Sequence, residues 1–129
     1  MSAFLRSRLR SFGHAFQGWL YVMRTQRNAW IHGSISAIIL LLSLWLRLPA
    51  RDWALIVVAT AMVFTAEFIN TAIEVVVDLV SPQLHPLARI GKDVGAAAVL
   101  IAAVAAVLIG LLVLGPPLWA KLSPYFLGH

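Results

Sequence analysis

The stretch E-F-I-N-T-A-I-E-V-V-V-D-L-V-S-P-Q-L-H-P-L-A-R-I-G-K-D, residues 67–93, holds four of the five acidic residues of the chain: Glu67, Glu74, Asp78 and Asp93. The first three sit inside an apolar run that starts at Trp53 and is long enough to cross a bilayer. A carboxylate near the middle of a bilayer helix costs about 2.5–3.5 kcal/mol on insertion scales, so several on one helix need a reason. Their spacing supplies it. At about 100° per residue, Glu74 and Asp78 point within about 20° of Glu67, and Asn70 and Thr71 flank them. The polar groups form one stripe, while Phe64, Phe68, Ile69, Val75, Val76 and Val77 cover much of the remainder. Such a helix is expected to turn its apolar side to lipid and its stripe to a protein surface or an aqueous cleft. A packing seam can be made from Ser, Thr or Asn, so the acids point instead to a site that handles protons or cations.

Composition agrees. The chain has 129 residues, is 61% hydrophobic and carries 12% charged residues, against about a quarter in soluble domains. It reads as an all-α integral membrane protein of one domain, 1–129. There are no cysteines, which excludes disulfides, thiolate metal sites and Cys nucleophiles. The net charge of +5 lies in arginines beside apolar spans. Anionic lipid headgroups and a phosphorylated substrate are therefore the expected partners, and nucleic acid is not.

From the N-terminus, residues 1–27 read as an amphipathic surface helix. Leu5, Leu9, Phe12, Phe16, Trp19 and Met23 recur at steps of three and four, with Arg6, Arg8 and Arg10 on other faces. Transmembrane helices are predicted at about 30–48, 53–80 and 92–114. The predicted breaks are a turn at Pro49-Ala50-Arg51-Asp52, then Ser81-Pro82 with His85-Pro86, and finally Gly115-Pro116-Pro117. Seven basic residues lie on the side of the N-terminal segment and the 81–92 loop, against Arg47, Arg51 and Lys121 on the other. This bias predicts that the N-terminus and that loop are cytoplasmic, in a multi-pass protein of the cell's inner or plasma membrane. Gly91, Gly95, Ala98, Ala102, Ala106 and Gly110 recur every three or four positions, a pattern that lets helices approach closely and predicts a homo-oligomer.

No G-x-x-x-x-G-K-[ST] or H-E-x-x-H run is present, and the four histidines are scattered. His32 and His85 read as interfacial and loop residues. Hard-cation chemistry remains. Carboxylates and an amide suit Mg²⁺, which keeps waters and is shared with substrate phosphates. At 1.5 Å per residue, Glu74 and Asp78 lie about 10 and 16 Å along the helix from Glu67, nearer the cytoplasmic rim, to which Lys92-Asp93 can return. A deep carboxylate, a shallower metal-binding acid and a lysine are the parts of phosphoryl transfer: base, Mg²⁺ and charge clamp. A proton or cation conduit, with the acids along an oligomer axis, uses the same stripe but leaves Lys92-Asp93 idle. A non-catalytic scaffold is the third possibility.

The segment E-F-I-N-T-A-I-E-V-V-V-D, 67–78, resembles the signature of the small prokaryotic diacylglycerol kinase family, which includes undecaprenol kinases. His85, Lys92 and Asp93, followed by G-A-A-A-V-L at 95–100, extend the resemblance, which covers about 11–114. It implies a homotrimer of subunits with a surface helix and three transmembrane helices, with sites shared between neighbours at the cytoplasmic rim. It implies ATP as co-substrate, Mg²⁺ as cofactor and a membrane lipid alcohol as acceptor. By the same resemblance Glu67 is the base, Glu74 a Mg²⁺ ligand that also serves the nucleotide, and Asn70 an orienting group. Lys92 and Asp93 contact the nucleotide phosphates and support the site, and Gln83 and His85 lie near the nucleotide. One departure stands out. The family places a second metal-binding Glu before the first span, where this chain has Gln26, whose neutral amide can coordinate through oxygen but adds no charge. R-N-x-x-I-H at 27–32 and H-P-L-A-R-I-G-K-D at 85–93 resemble the undecaprenol kinase branch more than the enterobacterial diacylglycerol kinase type. Undecaprenol is thus favoured over diacylglycerol.

Overall fold

The computed structural model describes residues 3–127 apart from Pro82 and Leu84. Among these residues there is no strand, and the elements in chain order are α1 (Ala3–Thr25), α2 (Arg27–Leu46), α3 (Ala50–Val80) and α4 (Pro86–Leu127). Three of them, α2, α3 and α4, are long and apolar enough to cross a membrane. α3 and α4 form the principal pair, α2 leans on both, and α1 touches α2 and α3. The expected all-α membrane architecture is observed.

Each break has a local cause. Gln26, between α1 and α2, is extended at φ −102° and ψ 113°, so one residue turns the chain. After α2, Arg47 adopts the left-handed conformation at φ 55°. Its N–H bonds Leu44 O at 3.1 Å and that of Leu48 bonds Ser43 O at 3.2 Å, closing the helix end. Pro49 then serves as N-cap, receiving the N–H groups of Asp52 and Trp53, and Asp52 in the first turn suits the positive end of the helix dipole. The predicted turn at 49–52 is thus already helix from Ala50.

The predicted limits of the last span, 92–114, are also corrected. α4 begins at Pro86, because proline at a first helical position forfeits only an N–H that has no partner there. His85 completes the start, its Nδ1 accepting from Leu87 N–H at 3.2 Å. At the far end α4 runs through Pro116, Pro117 and Pro124. Their missing donors cost hydrogen bonds, but apolar spanning helices tolerate such losses. Beyond the prolines, Lys121 Nζ donates to Trp45 O at 2.9 Å and stands 4.0 Å from the Trp45 ring centroid, tying the segment to the end of α2. The proline at 82, and residues 1 and 2 of the expected surface helix, lie outside the described residues.

The buried face of α3 comprises Ile56, Ala59, Val63, Glu67, Asn70 and Thr71, at helical spacing. Its lower half is apolar: Ile56 joins Leu48, Val113 and Leu114 in a core against which Trp53, Leu46 and Ile109 pack. Its upper half is polar. Outside this seam the helices expose Ile35, Ile38, Leu41, Leu100, Leu108 and Leu112, an apolar surface suited to lipid.

Candidate active site

The polar half of the α3 seam is built from three elements. Glu67 is 1% exposed, and its Oε2 is buried with no hydrogen-bond partner. One turn on, Thr71 Oγ1 donates to the Glu67 carbonyl at 2.9 Å, which spends the hydroxyl on the backbone and leaves the carboxylate unsatisfied. Asn70 Nδ2 donates to Glu74 Oε1 at 3.0 Å. The other oxygen of Glu74, Oε2, accepts from Gln26 Nε2 at 3.4 Å. The one-residue turn between α1 and α2 therefore delivers Gln26 onto α3, across 48 positions of sequence. His32, from the first turns of α2, lies within electrostatic reach of Glu67.

A second cluster sits at the same end, one turn beyond Glu74. Lys92 Nζ donates to both carboxylate oxygens of Asp78, at 3.0 and 3.2 Å, across the α3–α4 pair. Asp93, one residue along α4, turns instead to Arg89 at 3.9 Å, with both side chains well exposed. Gln83 and His85 join Asp78, Arg89, Lys92 and Asp93 around a cleft of about 360 Å³. The Gln83 carbonyl accepts from Ser81 Oγ and from the His85 N–H, both at 2.8 Å. Burial falls steadily from Glu67 through the half-buried Glu74 to Asp78, whose side chain is 66% exposed. The exposed end of that gradient can carry charged groups in water, while the buried end keeps a carboxylate from water.

The family model described as prokaryotic diacylglycerol kinase matches residues 13–114, most of the chain. The chain belongs to this family. Among curated proteins it is similar to the undecaprenol kinase of Bacillus subtilis, 38% identical over 84% of this chain and 89% of that protein. It is similar to the diacylglycerol kinase of Synechocystis sp., 42% identical over 85% of this chain, of whose length it spans 63%. The diacylglycerol kinase of Escherichia coli is 34% identical over 68% of this chain and 78% of that protein.

For a family of kinases, ATP is a substrate, and the sequence-predicted residues fall into two groups. Gln26 and Asn70 both bond Glu74, with Glu67 about two turns deeper than Glu74; Lys92, Asp93, Gln83 and His85 gather around the exposed cleft. Sequence reading set aside His32 as interfacial. It counted Gly95 among the small residues of α4 and in the G-A-A-A-V-L run at 95–100, without placing that glycine against the Asn70 amide. Both residues belong to short runs that resemble the family, but neither run tells which residue of the α3 stripe it meets.

Mg²⁺ takes few protein ligands, all of them oxygen, and Gln26 must turn its amide, which now points its NH₂ at Glu74, to offer its oxygen beside the carboxylate. Among the described residues no three His, Cys, Asp or Glu side chains gather into a metal cluster. Glu74 is the acidic donor and Gln26 its amide neighbour.

Proposed function

We propose that this family member is an ATP-dependent lipid kinase that moves the γ-phosphate of ATP to the hydroxyl of a membrane lipid alcohol, with undecaprenol favoured over diacylglycerol. The observation that carries this reading is the Glu67 carboxylate: it is buried, it has one oxygen without a partner, and it stands about two turns below Glu74. Such a group can accept the proton of an incoming alcohol in a pocket that excludes water. The hydroxyl oxygen bonds to the γ-phosphorus as the bond from that phosphorus to the ADP oxygen breaks, and Glu67 keeps the proton until it returns to solvent.

The other residues orient and neutralise. Asn70 holds Glu74 by its Nδ2 and so fixes the carboxylate facing the transfer point. Glu74 and Gln26 would hold Mg²⁺, which when bound offsets charge on the transferring phosphoryl group. Lys92, kept in place by Asp78, presents its ammonium to the phosphates, with Asp93, Gln83 and His85 around the nucleotide. An apolar trough of about 820 Å³ between α1 and α3, lined by Trp19, Val22, Phe68, Thr71 and Val75, reaches the turn that bears Glu67. It is the approach for a lipid chain.

The unit is a homotrimer whose neighbours complete each site, in line with the small residues Ala98, exposed, and Ala105, half-buried, which line an open apolar face with Asn70. The N-terminal helix and the connection from α3 to α4, with the first turns of α4, are cytoplasmic, the basic side, where α1 meets anionic headgroups with Arg6 and Arg10.

The test is transfer of labelled phosphate from Mg·ATP to undecaprenol or diacylglycerol, offered separately in mixed micelles, with Glu67→Gln as control. Undecaprenyl phosphate from wild type, lost in the variant, is expected. Phosphatidic acid as the main product would overturn the choice of lipid, and no transfer to either would overturn the kinase reading.

A further inference from the structure

Gly95 lies on the buried face of α4, directly against Asn70 of α3. A methyl group added there would overlap Asn70 Oδ1 and stand 3.4 Å from its Cγ and 3.8 Å from its Cα. The other described glycines have no such constraint. Gly13, Gly18, Gly33, Gly110 and Gly115 face open space, and Gly91 would only touch Val77 at 4.0 Å.

The atom that Gly95 accommodates is unusual in a second way. Asn70 is 94% buried by its 6% exposure, and its Oδ1 has no conventional hydrogen-bond partner. An amide with a free choice would turn over to relieve this. Here the turned-over form is worse: Oδ1 would face the Glu74 carboxylate that Nδ2 now bonds at 3.0 Å, and the NH₂ would face α4 with no acceptor. The hydrogen that stands in place of a Cβ on Gly95 is a weak donor, which suits an oxygen and repels an NH₂. Gly95 thus makes the room and also selects the amide's orientation.

We propose that Gly95 is a positioning residue for phosphoryl transfer: by lacking a side chain it seats the Asn70 amide with Oδ1 against α4 and Nδ2 on Glu74. The proposal rests on Asn70 and Glu74 serving the transfer site. Because the collision is with the end of the amide and not with backbone, the shift that Gly95→Ala forces falls on the Asn70 side chain, and it is expected to turn the amide off Glu74.

The test is a double-mutant cycle on the full-length protein in mixed micelles, with wild type, Gly95→Ala, Asn70→Ser and the double variant. Phosphate transfer gives kcat and KM, and thermal unfolding of the same preparations gives a midpoint. Gly95→Ala is expected to lower kcat by about tenfold or more, the loss of one hydrogen bond to a charged group, with KM for lipid within about twofold of wild type. In the Asn70→Ser background, where the shorter side chain leaves room, the same alanine should cost less than about twofold and should not lower the thermal midpoint. Equal losses in both backgrounds, or wild-type kcat in Gly95→Ala, would overturn the proposal. If Gly95→Ala fails to assemble, a double variant that assembles and turns over like Asn70→Ser supports it, and a double variant that also fails overturns it. Wild-type kcat in Asn70→Ser would instead remove Asn70 from the site, a failure of the parent reading that is visible without Gly95.

Discussion

Replacing Gln26 by Glu should make the stability of this protein depend on a divalent cation. Gln26 Nε2 now donates to Glu74 Oε2 at 3.4 Å, so wild type satisfies that oxygen with a neutral amide. A glutamate at position 26 would set two carboxylates at that separation. Coulomb's law gives a repulsion of about 5 kcal/mol at an effective dielectric of about 20, and about 1 kcal/mol if water screens fully. Both groups are half-buried, so the penalty lies between these bounds. It falls on the turn that joins α1 to α2, because Gln26 is the residue between them. A cation shared by the two carboxylates reverses the sign. Thermal unfolding of purified Gln26→Glu in chelator should therefore occur several degrees below wild type, and added Mg²⁺ should raise its midpoint by more than it raises that of wild type. Equal midpoints for the two proteins, with and without Mg²⁺, would refute the placement of position 26 beside Glu74 at a cation site.

Asp78→Asn weakens the charge-assisted bonds that hold Lys92, so KM for Mg·ATP should rise several-fold in steady-state transfer assays. The thermal midpoint should barely move, since an exposed pair contributes about 0–1 kcal/mol. Lys121→Ala removes both the bond to Trp45 O and the cation–ring contact. It should cost about 1–2 kcal/mol in denaturant or thermal unfolding, and transfer activity at low temperature should stay at wild-type level, because this staple lies at the far end of the bundle from Glu67. Crosslinking in mild detergent should give a trimer; monomer alone at all protein concentrations would count against shared sites.

Periodicity carried most of the architecture. Apolar runs of spanning length, separated by prolines and arginines, are enough to name a helical membrane protein, because a bilayer admits few other solutions for an uninterrupted apolar backbone. The α3 stripe was equally legible: residues seven and eleven positions apart share a face on any straight helix, whatever packs against it. The motif at 67–78 and the match over 13–114 then agree on the family.

Helix ends were less legible, since proline rules weigh one missing donor against water. At Pro86 that donor had no use in the first place, and at Pro116 and Pro117 the helix runs on through the lost bonds. The site's partners were least legible. Gln26 is 48 residues from Glu74, Lys92 is 14 from Asp78, and Gly95 meets Asn70 from another helix. Local sequence can say that these residues have polar, charged or absent side chains and on which helix face they stand. Which of them touch depends on how far each helix is rotated and how deeply it sits against the next. Those quantities arise from the packing of all four helices together, and they leave no period in the chain.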